Sequence, residues 1–287
     1  MDILIYGMIN AAKLILIALG FSLVYGVSRV ANFAHGAVYI LTGFVVWTGL
    51  QKLGLNYPLT ILISIIVTAL VGSAIYWIFL SRVRGMPASE IIASFAVGLG
   101  IIELLRMVGF VGTFGNPIFF HGSVDLLGVT IDYQRLLGVG AAMGAVVFLF
   151  IFTHYTKAGL ALRGIAQNER AAMMLGIDSD LAATISLAVG SSIAAVAAIV
   201  LLPLGNIYPS IGYDALVYAV AVCIVGGLGS ISGTVFSGLL LAYAQVLSIR
   251  LLGGGWQMVV IFLSILLILI FRPSGLLGKQ KELEERV

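Results

Sequence analysis

The sequence predicts an all-α fold, a polytopic bundle of transmembrane helices with about eight or nine membrane segments, some of them short or re-entrant. Three observations point there. Of 287 residues, 61% are hydrophobic and only 9% charged, whereas a soluble domain carries roughly a quarter charged residues. Apolar runs recur along the whole chain at lengths near the roughly twenty residues a bilayer requires. Glycine is abundant, at 35 residues, as expected where small side chains let helices approach closely in lipid; Gly140–Gly144 and Gly229–Gly233 have the small-xxx-small spacing.

Spans are expected near 5–27, 36–51, 59–80, 90–110, 136–154, 181–203, 213–228, 231–249 and 256–271. The second and seventh are short, which predicts tilted, broken or partly re-entrant segments. The chain reads as one transmembrane domain over 1–287, with an inserted segment at 156–180 and a charged tail at 272–287. The first residues lack the positive region of a signal peptide, so the first run is expected to be retained as a span.

Orientation follows from lysine and arginine placement. With 156–180 cytoplasmic, Arg29, Arg82, Arg84, Lys157, Arg163, Arg170, Arg272, Lys279, Lys281 and Arg286 fall inside, and Lys52, Arg135 and Arg250 fall outside. This bias predicts an N-terminus outside and a cytoplasmic C-terminus. The long outer loop 111–135 mixes Gly, Pro, Asn and Asp with aromatics and reads as a lid or a surface for an external protein. A short internal match, His35-Gly36-Ala37-Val38 against Ser232-Gly233-Thr234-Val235, suggests a pseudo-repeat of parallel topology.

Several chemistries are excluded. No G-x-x-x-x-G-K-[ST] loop is present, so ATP is not bound by that route. Gly227-Leu-Gly229-Ser-Ile-Ser-Gly233 has one residue too many for a dinucleotide fingerprint and lacks its βαβ setting. His35, His121 and His154 are far apart, which argues against a metal site. The single Cys223 lies in an apolar run and reads as a small buried hydrophobe. No nucleophilic triad appears, and Asp178 and Asp180 precede a span as helix caps would. The basic residues form no stripe for nucleic acid. The chain is therefore expected to be a non-enzyme embedded in membrane lipid.

Ionisable groups within spans are costly and tend to face a protein interior or a cavity. Glu103 and Arg106 share a helix face at i and i+3 and can pair, either as a structural ion pair or as a polar patch at a pathway mouth. Lys13 either snorkels along its stem or finds an acidic partner. Glu90 sits where a helix N-terminus favours a carboxylate. His35 reads as an anchor of its turn or a proton relay.

The 156–180 insert reads as a helix pair with a glycine break, punctuated by Gly159, Gly164 and Gly176. Its mixed faces suit an interfacial connector or a helix docked in a groove of another protein. Here a resemblance enters. The run Gly159-x-x-x-Arg163-x-x-x-x-Asn168-x-x-Ala171-Ala172-x-x-x-Gly176-Ile177 resembles the cytoplasmic coupling motif of ABC-importer permeases. Asn32-Phe33-Ala34-His35-Gly36, Gly226-Gly227-Leu228-Gly229-Ser230-Ile231-x-Gly233 and Arg272-Pro273-Ser274-Gly275-Leu276-Leu277-Gly278 resemble segments of the branched-chain amino-acid (LivH-type) permeases, in the same order. Tyr218 departs from a lysine common at its place, and Ser232 from a proline.

The resemblance implies a permease subunit of an ATP-driven importer in a bacterial or archaeal inner membrane. The solute implied is a branched-chain amino acid or a related amino acid, amide, urea or aromatic compound. Implied partners are a second permease subunit, two cytoplasmic ATPase subunits that carry ATP and Mg, and an extracytoplasmic binding protein; no cofactor is implied on this chain. Docking contacts would be Arg163, Gln167, Asn168, Glu169 and Arg170, with Met174 and Leu175 as apolar anchors and Gly176 at the turn. Irregular backbone at membrane depth belongs against a cavity or protein, so Asn32, Phe33, His35, Gly36, Tyr218, Gly227, Gly229, Ser230 and Gly233 are pathway candidates. The alternative is a self-sufficient secondary transporter or channel that uses Glu103, Arg106 or Lys13 for ion coupling.

Overall fold

The computed structural model describes residues 2–29, 31–126 and 128–278; Lys279, Lys281 and Arg286 of the expected tail lie outside them. Nearly every apolar run folds as a helix of the matching length. In chain order these are α1 (Asp2–Ser28), α2 (His35–Trp47, continued by a π turn Thr48–Lys52), α3 (Tyr57–Ile75, continued through a π turn Tyr76–Leu80 and Ser81–Val83) and α4 (Pro87–Met107). A hairpin of β1 (Ser123–Leu126) and β2 (Val129–Asp132) precedes α5 (Tyr133–Tyr155). Two short helices follow, α6 (Lys157–Gln167) and α7 (Glu169–Met174). The chain ends with α8 (Ser179–Leu201, then a 3-10 turn Leu202–Leu204), α9 (Ile211–Gly226), α10 (Ile231–Leu252) and α11 (Gln257–Phe271). Among the described residues, seven helices are long and apolar enough to cross a membrane. The two short runs fold as α2 and α9.

The all-α expectation needs one correction. Within the outer loop, Ser123 pairs with Asp132 and Val124 with Ile131 in an antiparallel hairpin. The alternation of Val129 and Ile131, both buried, against exposed Thr130 and Asp132 is the local strand signal. The loop is also pinned to the bundle. Phe114 and Ile207 exchange backbone hydrogen bonds at 2.8 and 2.7 Å, and Phe110, Phe114, Phe44 and Trp47 form an aromatic cluster.

Helix ends follow local chemistry. Asn56 accepts from Leu59 N with Pro58 in the first turn of α3, and Ser230 accepts from Gly233 N at the start of α10. Asp178 accepts from the backbone N–H groups of Asp180 and Leu181, the capping role read from the sequence. Glu90 closes its own turn by accepting from Gly85 N at 2.7 Å.

α1 and α8 form the centre: 56% and 67% of their spanning windows are buried, against 6% for the last helix. They cross where a Cβ on Gly20 would collide with the Gly190 carbonyl oxygen, so the backbones touch without side chains between them. α2 and α9 cross the same way at Gly36 and Gly212.

The start of α2 lies deep in the bundle. After α1, Arg29 turns the chain with φ 54. His35 Nε2 meets the Ile17 carbonyl at 2.9 Å, a level about 16 Å inward from the C-terminal end of α1 at about 1.5 Å rise per residue. A helix start in a dry interior leaves backbone donors that must find acceptors. Phe33 N donates to Ser94 Oγ at 3.1 Å, Ala34 N to Asn32 Oδ1 at 3.1 Å and His35 N to the Asn32 carbonyl at 3.2 Å. Asn32 and Ser94 are both buried.

Candidate functional site

The 156–180 segment is a helix pair, as expected, but its break falls at Asn168 and not at a glycine. Asn168 is extended (φ −151, ψ 103) and its Oδ1 accepts from Ala171 N at 3.1 Å. An asparagine side chain satisfies the orphan amide of a new helix, which a glycine cannot do. Gly159 and Gly164 lie inside α6, where Gly159 packs on the Phe152 carbonyl at the end of α5. Gly176 turns the chain back with φ 85. α6 buries Leu162 and Ile165, and α7 buries Ala172.

The segment's outward surface holds Arg163, Gln167, Arg170, Met174 and Leu175; the last two are 87% and 84% exposed. Asn168 and Glu169, both expected as docking residues, make contacts within the chain that shape the segment. Asn168 caps α7. Glu169 receives Arg84 Nη2 at 2.5 Å and Ser179 Oγ at 2.6 Å. Arg84, between α3 and α4, also binds Asp180 and Ser179 Oγ, and Tyr76 donates to Asp180 at 2.5 Å. This network fastens α7 to the ends of α3 and α8. Sequence reading placed Arg84 only as a charge on one side, because its partners Glu169, Ser179 and Asp180 are 85 to 96 residues away.

The pathway candidates fall into two groups. Asn32, Phe33, His35 and Gly36 build the deep start of α2. Gly227, Gly229, Ser230 and Gly233 form the α9–α10 turn: Gly233 packs on Gly226, Gly229 on Gly26, and Gly227 (φ 103) against Ser274 and Gly278. In both groups the glycines serve close backbone contact, and of all these residues only Gly229 lines either large cavity. Gly140 and Gly144 of the other small-xxx-small pair have no neighbour within 4 Å in this chain. Glu103 and Arg106 pair at 2.7 Å, as their i, i+3 spacing allows, on a face of α4 that is exposed in this chain. Cys223 is buried, as expected, with Sγ 3.5 Å from the Ala18 carbonyl. Among the described residues no group of three or more His, Cys, Asp or Glu could hold a metal.

Two large cavities open on the bundle. One, of about 790 Å³, lies at the α6 end between α1, α5 and α10 and is mostly apolar, with Arg163 and His154 at its edge. The other, of about 720 Å³, lies at the opposite end and is lined by Lys13, Asn10, Tyr39, Arg135, Arg250 and Asp2 among others. Sequence reading found Lys13 but not this cavity, since its walls come from α1, α2, α5, α8, α9, α10 and the first residue of α11. The Lys13 ammonium sits 5.4 Å from the ring centroid of Tyr218, the residue at which the sequence departs from the permease pattern.

The chain as a whole is similar to known proteins. The family model described as "Branched-chain amino acid transport system / permease component" matches residues 3–270. The permease protein BraD of the high-affinity branched-chain amino acid transport system of Pseudomonas aeruginosa is 30% identical, covering 96% of this chain and 95% of that one. LivH of Escherichia coli K12, of the corresponding system, is 30% identical over 92% of this chain and 91% of its own. A probable LivH of Methanocaldococcus jannaschii is 26% identical over 92% and 88%. The fold is shared with a solved structure, PsaBC from Streptococcus pneumoniae in complex with Fab, at TM-score 0.53 and 14% identity, covering 96% of this chain and 93% of that chain. With the family model covering nearly the whole bundle, the chain belongs to the permease components of branched-chain amino acid transport systems.

Proposed function

We propose that this chain is one of two permease subunits of an ATP-driven importer in a bacterial or archaeal cytoplasmic membrane, moving a branched-chain amino acid or a related amino acid, amide, urea or aromatic compound. The observation that carries this reading is the family match together with the exposed Arg163–Leu175 surface, a helix pair inserted between two spans. Its charged and apolar tip suits a groove on a partner ATPase. ATP and Mg bind that partner, and an extracytoplasmic binding protein delivers the solute. Arg163, Gln167, Arg170, Met174 and Leu175 make the docking contacts, while Asn168 and Glu169 shape the helix that presents them.

The N-terminus lies outside and the C-terminus inside. In support, Arg29, Arg84, Lys157, Arg163 and Arg170 gather at the α6 end, and Arg135 and Arg250 at the other. α2 and α9 each complete a crossing together with the segments that lead into them, which makes nine. The motif glycines Gly36 and Gly233 both sit in the first turns of helices and both pack on α9, which supports a repeat of parallel topology.

The test is reconstitution with the partner ATPases, second permease and binding protein. L-Leucine uptake should require ATP, and Arg170→Glu should abolish solute-stimulated ATP hydrolysis while the protein stays folded. Uptake by the chain alone under an ion gradient, without gain from the ATPases, would sink the importer reading.

A further inference from the structure

We propose that the cavity around Lys13 is a carboxylate-binding station for a small solute, with the Lys13 ammonium as its charge. The inference rests on the permease reading above and gives it a site.

Lys13 lies in α1 about 16 Å from the helix start, at about 1.5 Å per residue, so it sits near the middle of a span. It is nevertheless solvent-exposed, because it opens into the 720 Å³ cavity. A cation at that depth is expensive unless water or a counter-charge meets it.

The other cations of the cavity have carboxylate partners. Arg135 Nε pairs with Asp132 at 3.2 Å and its guanidinium lies over the Tyr6 ring, and Arg250 pairs with Asp2 at 3.7 Å. Among the described residues, Lys13 alone of these three has no ion pair or hydrogen bond. Asp214, near the start of α9, acts on it electrostatically without reaching contact. The Tyr218 ring holds the ammonium from one side and supplies no lone pair in that geometry. The ammonium's three N–H donors therefore point to water or to a visiting acceptor.

The surrounding wall suits an amino-acid-like solute. Tyr39 lines the cavity and carries a hydroxyl that can donate. Asn10 donates its Nδ2 to Gln245 Oε1 at 2.7 Å, which leaves its Oδ1 as an acceptor. Ile9, Leu201 and Val246 provide an apolar side. A carboxylate on Lys13 would form a charge-assisted bond where the chain offers none.

The experiment uses the full assembly carrying Lys13→Cys. Cys223, the chain's only natural cysteine, is buried, so the new thiol is the reactive one on this subunit. The detergent-solubilised assembly is treated with aminoethyl, methyl or sulfonatoethyl methanethiosulfonate, then reconstituted for ATP-dependent L-leucine uptake. Lys13→Cys should lose about tenfold in uptake, the scale of one charge-assisted contact. The aminoethyl reagent, which restores an ammonium, should recover it, and the other two should not. Recovery with the methyl reagent, or a thiol that fails to react, would overturn the proposal.

A second measurement needs neither turnover nor a folded variant. Saturation-transfer NMR on the unaltered assembly should show isovalerate bound and isovaleramide not bound. Equal signals, or none from isovalerate, would overturn the Lys13 assignment. An unaltered assembly that binds isovalerate but takes up no L-leucine with ATP would count against the proposed solute or importer reading alone.

Discussion

Arg84 is the residue whose removal most directly tests how the 156–180 segment is held. Its guanidinium bridges Glu169 of α7 and Asp180 of α8, and Ser179 bonds Glu169 at 2.6 Å. Arg84→Met keeps the apolar stem and deletes the charge. The acids are 47% and 50% exposed at the side chain, so each rehydrates when released and no buried charge is stranded. Exposed ion pairs are worth about 0.2–1 kcal/mol and bonds to charged groups about 1.5–3 kcal/mol. With the Ser179–Glu169 bond retained, the hold on α7 should weaken by about 1–2 kcal/mol. At an RT of about 0.59 kcal/mol that is roughly a 5- to 30-fold rise in local opening. Hydrogen exchange reads it: amides of Glu169–Met174 should exchange faster by that factor, while the buried turns of α6 around Leu162 change little. Adding Glu169→Gln separates the pair from general loosening, and the cycle should return a coupling of about 0.5–1 kcal/mol. Unchanged α7 exchange in Arg84→Met, or strictly additive effects, would refute the claim that this network fastens the segment.

Other expectations follow from single contacts. Gly20→Ala places a methyl on the Gly190 carbonyl oxygen and should lower the thermal midpoint of the solubilised protein, at a cost of about 1–3 kcal/mol. Gly144→Ala, with nothing within 4 Å, should leave the isolated subunit unchanged; equal shifts in the two would discredit the backbone contact. Asn168→Ala removes the cap on Ala171 N at about 1 kcal/mol, so that amide should lose protection while α6 keeps its own. Gln134 is buried, donates to the Val200 carbonyl at 2.8 Å and accepts from Phe119 N at 3.2 Å. Gln134→Leu should therefore free the loop before β1, seen as faster proteolysis there, and an unaltered cleavage rate would count against that anchor.

What the sequence could reveal was governed by distance along the chain. Apolar runs are local, so helices such as 59–80 and 181–203 were legible to within a few residues, as was the cap at Asp178. The hairpin was harder to read, because its signal spans four residues on each side inside a polar loop. The glycine break failed because two conformational signals competed, and Asn168, with a side-chain acceptor, outweighed Gly164. Glu169 was expected to face a partner, yet its carboxylate is held by Arg84, 85 residues earlier. No local pattern encodes that pairing. Lys13 stood out as a charge in a span, but the cavity that explains it is assembled from seven helices far apart in sequence.

α1 explains how two ends of the bundle can be mechanically joined. It carries Asn10 and Lys13 into one cavity, receives His35 on the Ile17 carbonyl, and touches α8 through Gly20. Farther along, Ser22 bonds Thr234 of α10 at 2.8 Å, Gly26 packs on Gly229, and just beyond the helix Arg29 reaches the Ala166 carbonyl of α6 at 3.4 Å. α2 ends in a π turn, Thr48–Lys52, and α3 passes through one, Tyr76–Leu80, whereas α1 runs as uninterrupted α-helix from Asp2 to Ser28. Irregular turns absorb displacement, and a regular helix packed on both sides passes it on, because close-packed contacts do not deform continuously. A shift of the α6–α7 segment relative to α8 must therefore be taken up along α1 or at the Arg29 turn. The first choice moves Lys13 relative to the cavity wall; the second leaves it still. Spin-label distances from the Lys13 position to α8, measured with and without a non-hydrolysable ATP analogue on the assembled complex, distinguish the two, and a fixed distance would make the Arg29 turn the hinge.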